Sequence, residues 1–543
     1  MPEQARAVAP GSALGCAETI YGALLARARS DPEGAFLHDG SRRWSYGSLL
    51  AEADATARRL AGLGIGAGDR IVLWLPNGIS WAVLFFACAR LGAIVVMAGT
   101  RLRAADLRHI LEDSGAAAVV WSPSFLGIDY DAMAEAAVRD RSGEPLPGLR
   151  HLLTVAPSGV PRAAQLAQLP LAAEAPAHGD AGAPAVVCYT SGTTGLPKGC
   201  VHSHRVLVAN GRVAAGLTGL TARDRVLCPV PFAHVFGFHM GVLQSTLAGA
   251  TLVNAEPYGA ERLLDLAETE AATVLYMVPA MAREAVAAQA RQPRDLGSLR
   301  ITLLAGAPVP VRLRRAVLDP EEGLGAEITV VYGCTEAPTL TQLEHDAPIA
   351  RRLSSVGRAT PGVELRICAP GSVEELPAGE TGEILARGYN RMLGYLDDEE
   401  ASAACLRGEW LVTGDLGWSD EEGYLYFVGR SDEMFVVGGF NAYPREIEAQ
   451  LEELEGVVEA AVTGVPDERL GSVAMAWVTV EDGALEEEEI VEWARDRMAS
   501  YKRPHHVRIV RSLPRTSTGK LSRVKLEWLA RRALPGLNWE GQA

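Results

Sequence analysis

YTSGTTGLPKG, Tyr189 to Gly199, follows a short apolar run, Ala185 to Cys188. These eleven residues hold three glycines, four Ser or Thr hydroxyls and one lysine. That mix cannot fill a core or sustain a helix, but it can wrap an anion. Gly192, Gly195 and Gly199 let backbone N–H groups approach a ligand. Thr190, Ser191, Thr193 and Thr194 add hydroxyl donors, and Lys198 adds a positive charge. Together they have the chemistry of a phosphate-binding loop. It is not a Walker A loop, because that motif needs Ser or Thr after its lysine and Gly199 stands there. A Ser/Thr/Gly-rich surface linker is the plain alternative, but a linker has no need to pack such groups so tightly after an apolar strand.

The rest of the chain sets the bounds on this loop. A length of 543 residues exceeds one hydrophobic core and implies at least two domains. With 48% hydrophobic and 22% charged residues the composition is that of a globular protein, and a formal net charge of −16 argues against a nucleic-acid partner. Eight cysteines are scattered without a CxxC pair, which predicts reduced thiols and a cytoplasmic setting. The amino terminus lacks the pattern of a signal peptide. The longest apolar run, Trp81 to Met97, carries Arg90 and is too short to span a membrane.

Apolar residues recur at helical spacing from Tyr46 to Leu60, then the GLGIGAGD punctuation ends the helix. Ile71 to Leu75 predicts a strand, Trp81 to Arg90 a helix and Ala93 to Met97 a strand, an alternation that argues for stacked parallel sheets. Gly62, Gly64 and Gly66 follow a helix rather than a strand, so they read as a loop and not as a dinucleotide fingerprint. Residues 155–184 read as a surface connection. Val206 to Leu217 predicts a helix after the phosphate loop, with an amino terminus that could add its dipole to the anion site.

Further motifs lie downstream. PVPFAHVFGFHMG, Pro229 to Gly241, is dense in aromatics around His234 and His239. His239 reads as a satisfied histidine on a core strand. LRITLLAGAP, Leu299 to Pro308, and VVYGCTEAP, Val330 to Pro338, are each a strand ending in small residues or a loop, and a planar ring can slot between Tyr332 and the Ala305 to Ala307 backbone. Within WLVTGDLG, Asp415 follows a glycine where a carboxylate can accept both hydroxyls of a ribose. Phe435 to Val437 is apolar, Gly438, Gly439, Phe440 and Asn441 break it, and Pro444 to Leu454 predicts an amphipathic helix. Glu486 to Glu489 read as the acidic front of a helix from Leu485 to Met498. The last motif is PRTSTGKL, Pro514 to Leu521.

Over roughly Tyr21 to Leu529 this series resembles the adenylate-forming (AMP-binding) superfamily, which holds acyl- and aryl-CoA synthetases, peptide-synthetase adenylation domains and firefly-type luciferases. The resemblance implies an α/β fold: a large multi-subdomain N-terminal domain with stacked parallel sheets, residues 1–430, and a small mobile α+β lid domain, residues 431–543, with its hinge at Asp432. It makes the planar ring adenine, held at Gly306, Ala307, Pro308 and Tyr332, and pairs Arg430 with Asp415 at the ribose. Thr335 then meets the α-phosphate and Glu336 a Mg²⁺ ion, which prefers oxygen ligands and substrate phosphates. His234 stands between the acyl pocket and the thiol entrance. Lys520 is the adenylation lysine. Gly438, Gly439 and Asn441 line a passage narrow enough to need glycine beside a pantetheine arm. Glu380 to Gly394 matches a family segment read as structural.

The implied activity is that of a carboxylic acid–CoA ligase. ATP and a carboxylate give acyl-AMP and pyrophosphate, and the CoA thiol then displaces AMP. A free-standing enzyme that loads a carrier-protein phosphopantetheine is the nearest alternative; the GGFN segment favours CoA. Nothing marks luciferase-like oxygen chemistry, and the intact loop, Glu336 and Lys520 argue against a regulatory protein without catalysis. By motif position the acyl pocket comprises His234, Val235, Ala305, Val331, Gly333, Cys334, Pro338 and Thr339. These carry no fixed charge, and amino-acid-activating relatives usually have an aspartate that the His234 motif lacks. The acid is therefore expected to have no α-amino group and to be an aryl, alicyclic or medium-to-long acyl acid.

Overall fold

The computed structural model describes residues 18–40, 42–139, 143–159, 163–177, 179–190, 197–481, 483–515 and 521–535. Alternating βα units build its first part. The strand Arg70–Trp74, the helix Ile79–Leu91 and the strand Ile94–Ala98 form one such unit, and the two strands pair in parallel from Arg70↔Ile94 to Trp74↔Ala98. A parallel neighbour requires a crossover of this length, and a helix supplies it.

Among the described residues two large sheets result. One has eight strands and runs from Gly394–Tyr395 through Lys198–Ser203, Pro184–Thr190, Ile94–Ala98 and Arg70–Trp74 to Ala118–Trp121 and beyond. The other has nine, with Glu327–Tyr332, Ile301–Ala305, Val274–Met277, Arg225–Cys228, Thr251–Asn254 and Ala35–Asp39 parallel at its centre. Antiparallel strands finish both edges of the nine-stranded sheet and one edge of the eight-stranded sheet, which the βα alternation alone does not reveal.

Side chains alternate across each strand, so each face of the eight-stranded sheet has its own core. Ile71, Leu73, Val95 and Met97 join one cluster with Val226, Leu252, Tyr276 and Leu303 of the nine-stranded sheet, and with Trp81, Phe85 and Phe86 of the intervening helix. Val72, Trp74, Val96 and Trp121 point the other way, onto Leu107 and Tyr130. The apolar run Trp81 to Met97 is thus a buried helix leading into a strand. No helix among the described residues is long and apolar enough to cross a membrane.

The chain divides into two compact units. The first runs to Val309 and takes Leu313–Glu364 and Arg387–Glu409; the second holds Pro310–Arg312, Leu365–Ala386 and the chain from Trp410 onward. Within the second, Val457–Asp467, Gly471–Val480 and Pro504–Ile509 form a sheet with the hairpin Phe435–Val437/Phe440–Ala442. Helices Pro444–Leu451 and Glu487–Arg497 bury Ile447, Leu451, Ile490 and Ala494 in the core of this sheet. Glu486 and Glu489 form a capping box at the start of the second helix, as the acidic front predicts.

Candidate active site

The phosphate-loop motif closes a hairpin. Pro184–Thr190 and Lys198–Ser203 are antiparallel, with Tyr189 opposite Gly199 and Thr190 opposite Lys198. Thr190 Oγ1 donates to the Lys198 carbonyl at 3.4 Å, closing the base of the loop. Ser191, Gly192, Thr193, Thr194 and Gly195 lie outside the described residues. The second strand corrects the expected helix dipole. The helix is His204–Thr218, capped by Ser203, so it starts at the far end of a six-residue strand. Such a strand spans roughly 17 Å, and a helix dipole acts only within its first turn.

Parallel register gathers the next group. Ala305 pairs with Val331 on adjacent parallel strands, so Gly306, Ala307 and Pro308 leave the sheet on the same edge as Tyr332, Gly333, Cys334, Thr335 and Glu336. Arg225–Cys228 ends on this edge too and leads into the segment bearing His234 and Val235. The carboxyl edge of a parallel sheet is where ligands bind in open α/β folds. Phe236 N–H donates to His234 Nδ1 at 3.2 Å, which leaves the proton of a neutral ring on Nε2.

Asn77, which the motifs do not single out, clamps the turn before His234. It accepts from Phe232 N–H at 2.7 Å and donates to the Val230 carbonyl at 2.9 Å. Its own N–H donates to the Glu256 carboxyl, which burial pushes up to about 7. His239 is buried, as expected, with Nε2 against the Leu207 carbonyl at 3.2 Å, but it is only half satisfied, since its Nδ1 is buried without a hydrogen-bond partner among the described residues. It sits on a π-helix, Phe236–Leu243, and not on a strand. One extra residue per turn is a feature concentrated at functional sites.

Glu336 and Lys198 are brought together by a residue the motifs overlook. Tyr395 lies on the short strand Gly394–Tyr395, opposite Cys200. Its hydroxyl donates to Glu336 Oε1 at 2.7 Å, and Lys198 Nζ stands 5.5 Å from its ring centroid. Lys198 Nζ is also 3.9 Å from the Asp398 carboxylate. Met392 N–H donates to the Glu336 carbonyl at 2.8 Å, and His202 Nε2 donates to the Thr335 carbonyl at 2.7 Å. Burial drives the His202 pKa down to about 4, so the ring is neutral at pH 7. Met392 lies inside the segment Glu380 to Gly394 read as structural and Tyr395 directly follows it, so the sequence reading singled out neither, nor His202.

No cluster of three or more His, Cys, Asp or Glu that could hold a metal occurs among the described residues. A Mg²⁺ ion arriving with a triphosphate needs only one or two carboxylates, so Glu336 fits such an ion while a caged metal does not fit.

Of the residues expected at the acyl pocket, Ala305, Val331 and Thr339 are buried, and Val235, Cys334 and Pro338 are partly so. Thr339 is tied down through its carbonyl, which accepts from Asn390 Nδ2 at 2.7 Å. Gly333 is exposed, but a Cβ there would lie 2.3 Å from the Pro338 carbonyl oxygen. The glycine is required by this backbone approach, whatever lies beside it.

In the second unit Asp415 and Arg430 are opposite each other on antiparallel strands, and Arg430 Nη1 donates to Asp415 Oδ1 at 3.0 Å. Burial works against the guanidinium charge, but Asp415 and Asp432 more than offset it and hold the Arg430 pKa above its ordinary value. Asp432 accepts from Arg430 Nε at 3.3 Å. Gly438 and Gly439, with φ of +56° and +89°, form the two-residue turn of the hairpin, a geometry that calls for positive φ at both positions. Asn441 is exposed on the returning strand, and Phe440 stacks on Tyr501 at 5.1 Å. Lys520 lies outside the described residues. Arg523, close after it, meets Glu433 at 3.1 Å and the buried Glu448 at 2.6 Å.

The paired strands that flank the glycine- and hydroxyl-rich motif, and the Tyr332 to Glu336 segment on the carboxyl edge of a parallel sheet, agree with an enzyme of the adenylate-forming class, which the family match shows. The chain belongs to the AMP-binding enzyme family: that family matches residues 24–396, and the AMP-binding enzyme C-terminal domain matches residues 446–520. It is 33% identical over 522 residues to a putative acyl-CoA synthetase of Bacillus subtilis, covering 92% of this chain and 94% of the relative. It is 34% identical to an indoleacetate–CoA ligase of Aromatoleum aromaticum over 90% of this chain and 94% of the relative. The crystal structure of the anthranilate–CoA ligase AuaEII with anthranoyl-AMP superposes with a TM-score of 0.86 at 27% identity, over 95% of this chain and 98% of that one. The protein is accordingly an AMP-forming ligase of the acyl-CoA synthetase type.

Proposed function

We propose that this ligase activates an uncharged-tailed aryl, alicyclic or medium-to-long carboxylic acid, and that the residues named above divide the work as follows. A carboxylate is a poor electrophile, and its charge repels the triphosphate. Fixed donors counter both problems. The loop from Thr190 to Lys198 holds the phosphates that leave as pyrophosphate, Thr335 meets the α-phosphate, and Lys520 draws substrate carboxylate and α-phosphate together. Tyr332 and the Gly306 to Pro308 backbone take the adenine, while Asp415 and Arg430 take the ribose. Glu336 would hold Mg²⁺, which when bound spreads the charge of the phosphates. His234 stands at the thiol's approach, and Gly438, Gly439 and Asn441 border the pantetheine. A boundary at 430/431, with its hinge at Asp432, would let the C-terminal lid serve both half-reactions.

The observation that carries this reading is that Tyr395 contacts both the phosphate-loop cation Lys198, through its ring, and the carboxylate of the Thr335–Glu336 segment, through its hydroxyl. The lack of a charged side chain among the pocket residues, and the ring acids named for the indoleacetate and anthranilate ligases, support the acid class. A cytoplasmic setting is supported by the seven described cysteines, all free thiols, including Cys188 and Cys200 that face each other across an antiparallel pair.

The test is AMP and pyrophosphate release from ATP, Mg²⁺ and a panel of carboxylic acids, with and without CoA. AMP release that depends on both an aryl, alicyclic or longer-chain acid and CoA is the expected result. Release that ignores CoA but responds to a phosphopantetheinylated carrier protein would replace this reading with carrier loading.

A further inference from the structure

Tyr395 is held by its backbone independently of its side chain. Its N–H donates to Ser402 Oγ at 2.8 Å, and that hydroxyl donates to the Asp398 carbonyl at 2.6 Å. Pairing with the strand Lys198–Ser203 sets it opposite Cys200, two residues beyond Lys198. The ring and hydroxyl are therefore presented to fixed points on two other segments.

Tyrosine hydroxyls donate to carboxylates at several places in this structure, Tyr21 to Asp54 at 2.8 Å, Tyr189 to Asp113 at 2.6 Å and Tyr258 to Glu284 at 2.7 Å among them. What distinguishes Tyr395 is which carboxylate it meets, that of Glu336 in the Thr335–Glu336 segment. A carboxylate at the end of a flexible side chain turns about its last bond, and a donor on Oε1 fixes the direction of Oε2. A phenol carries its proton at neutral pH, so the Tyr395 hydroxyl is a donor to the carboxylate there. Its ring meanwhile offers the adjacent cation, Lys198, an electron-rich face.

We propose that Tyr395 is a positioning residue for the nucleotide: its hydroxyl aims Glu336 at the metal–triphosphate and its ring keeps Lys198 at the base of the phosphate loop, so that the two groups engage ATP as a unit. This rests on the reading of Glu336 as the carboxylate that takes Mg²⁺. It adds a residue outside the loop, the Thr335–Glu336 segment and the lysine motif.

Binding can be measured on the full-length protein without knowing the acid. Calorimetric titrations with MgATP, and with ATP in excess EDTA, give for each variant the ratio of the two affinities, a quantity that partial unfolding of a sample does not change. Glu336→Gln should bring this ratio close to one. Tyr395→Phe, which keeps the ring, should weaken MgATP roughly tenfold, as loss of a metal ligand's hydrogen-bond partner does, and leave metal-free ATP unchanged. Tyr395→Leu should weaken metal-free ATP as well. The double variant Tyr395→Phe/Glu336→Gln should lose no more than Glu336→Gln alone, since the hydroxyl acts through the carboxylate. If Glu336→Gln alters neither affinity, the reading of Glu336 falls and the proposal falls with it. If Glu336→Gln abolishes the preference for MgATP but Tyr395→Phe retains it in full, or weakens both ligands equally, Tyr395 is only structural and the proposal alone is overturned.

Discussion

His202 and His239 are buried and held neutral, each with its pKa lowered by burial to about 4. Both states are uncharged above the ordinary histidine range, so neither residue makes stability pH-dependent there. As pH falls from about 6.5 towards 4 the unfolded chain takes up protons that the folded chain refuses, and stability declines. His202→Gln keeps a donor for the Thr335 carbonyl but removes the titration. It should therefore flatten the pH dependence of the melting temperature between these limits while changing it little at pH 8; an unchanged slope would mean that His202 is solvated or charged. At Gly333 any side chain meets the Pro338 carbonyl. Gly333→Ala should therefore lower MgATP affinity and the melting temperature together for every acid tested. A change in acid preference alone would place the pocket floor at this residue after all. The placing of Tyr332 at a strand end with Thr335 and Glu336 in the loop after it was legible from the motif because strand and loop are adjacent in sequence. Asn77, His202 and Tyr395 were not, since each acts on a segment more than fifty residues away through a register that no local pattern encodes.

Among elements, the hairpin of the second unit shows why a motif can have two explanations. Gly438 and Gly439 are placed by the need for positive φ in a two-residue turn, whether or not pantetheine passes them. Asn tolerates this conformation better than other side chains. Gly439→Asn should thus keep the fold and raise the KM for CoA several-fold, whereas unaltered CoA kinetics would remove the turn from the thiol's path. Helix Pro444–Leu451 carries Glu448, whose buried carboxylate meets Arg523 and Arg445 and accepts from Val462 N–H at 2.8 Å. Burial alone would raise its pKa, but the two arginines and this N–H outweigh burial and hold it below the ordinary value. The stability it lends is present above the ordinary glutamate range and is lost as pH falls through the lowered pKa. Removing one partner strands a buried charge, so Arg523→Ala should destabilise this unit by about 3–5 kcal/mol in urea unfolding. A loss below about 1 kcal/mol would show that water already reaches the pair. The helix boundaries were readable from spacing to within a few residues; this ion cluster, assembled from three separate segments, was not.

At the scale of the whole molecule, periodicity disclosed stacked parallel sheets because each βα unit repeats over a short stretch, as Arg70–Trp74, Ile79–Leu91 and Ile94–Ala98 do. The antiparallel strand Lys198–Ser203 was missed because its residues, KGCVHS, have the small and polar character of the adjoining loop. Missing it also misplaced the helix dipole. In the proposed reaction, one acyl site serves two successive steps that depend on different groups of the C-terminal part. Lys520 can organise the meeting of carboxylate and triphosphate, but thiolysis of an adenylate has no comparable need for a cation. The most direct measurement is rapid-quench timing of the two half-reactions in Lys520→Ala, using an acid identified by CoA-dependent AMP release and confirming the fold by circular dichroism. Under this division of labour pyrophosphate release should be abolished while a supplied acyl-adenylate is still converted to thioester with CoA. Loss of both half-reactions to the same degree would contradict it.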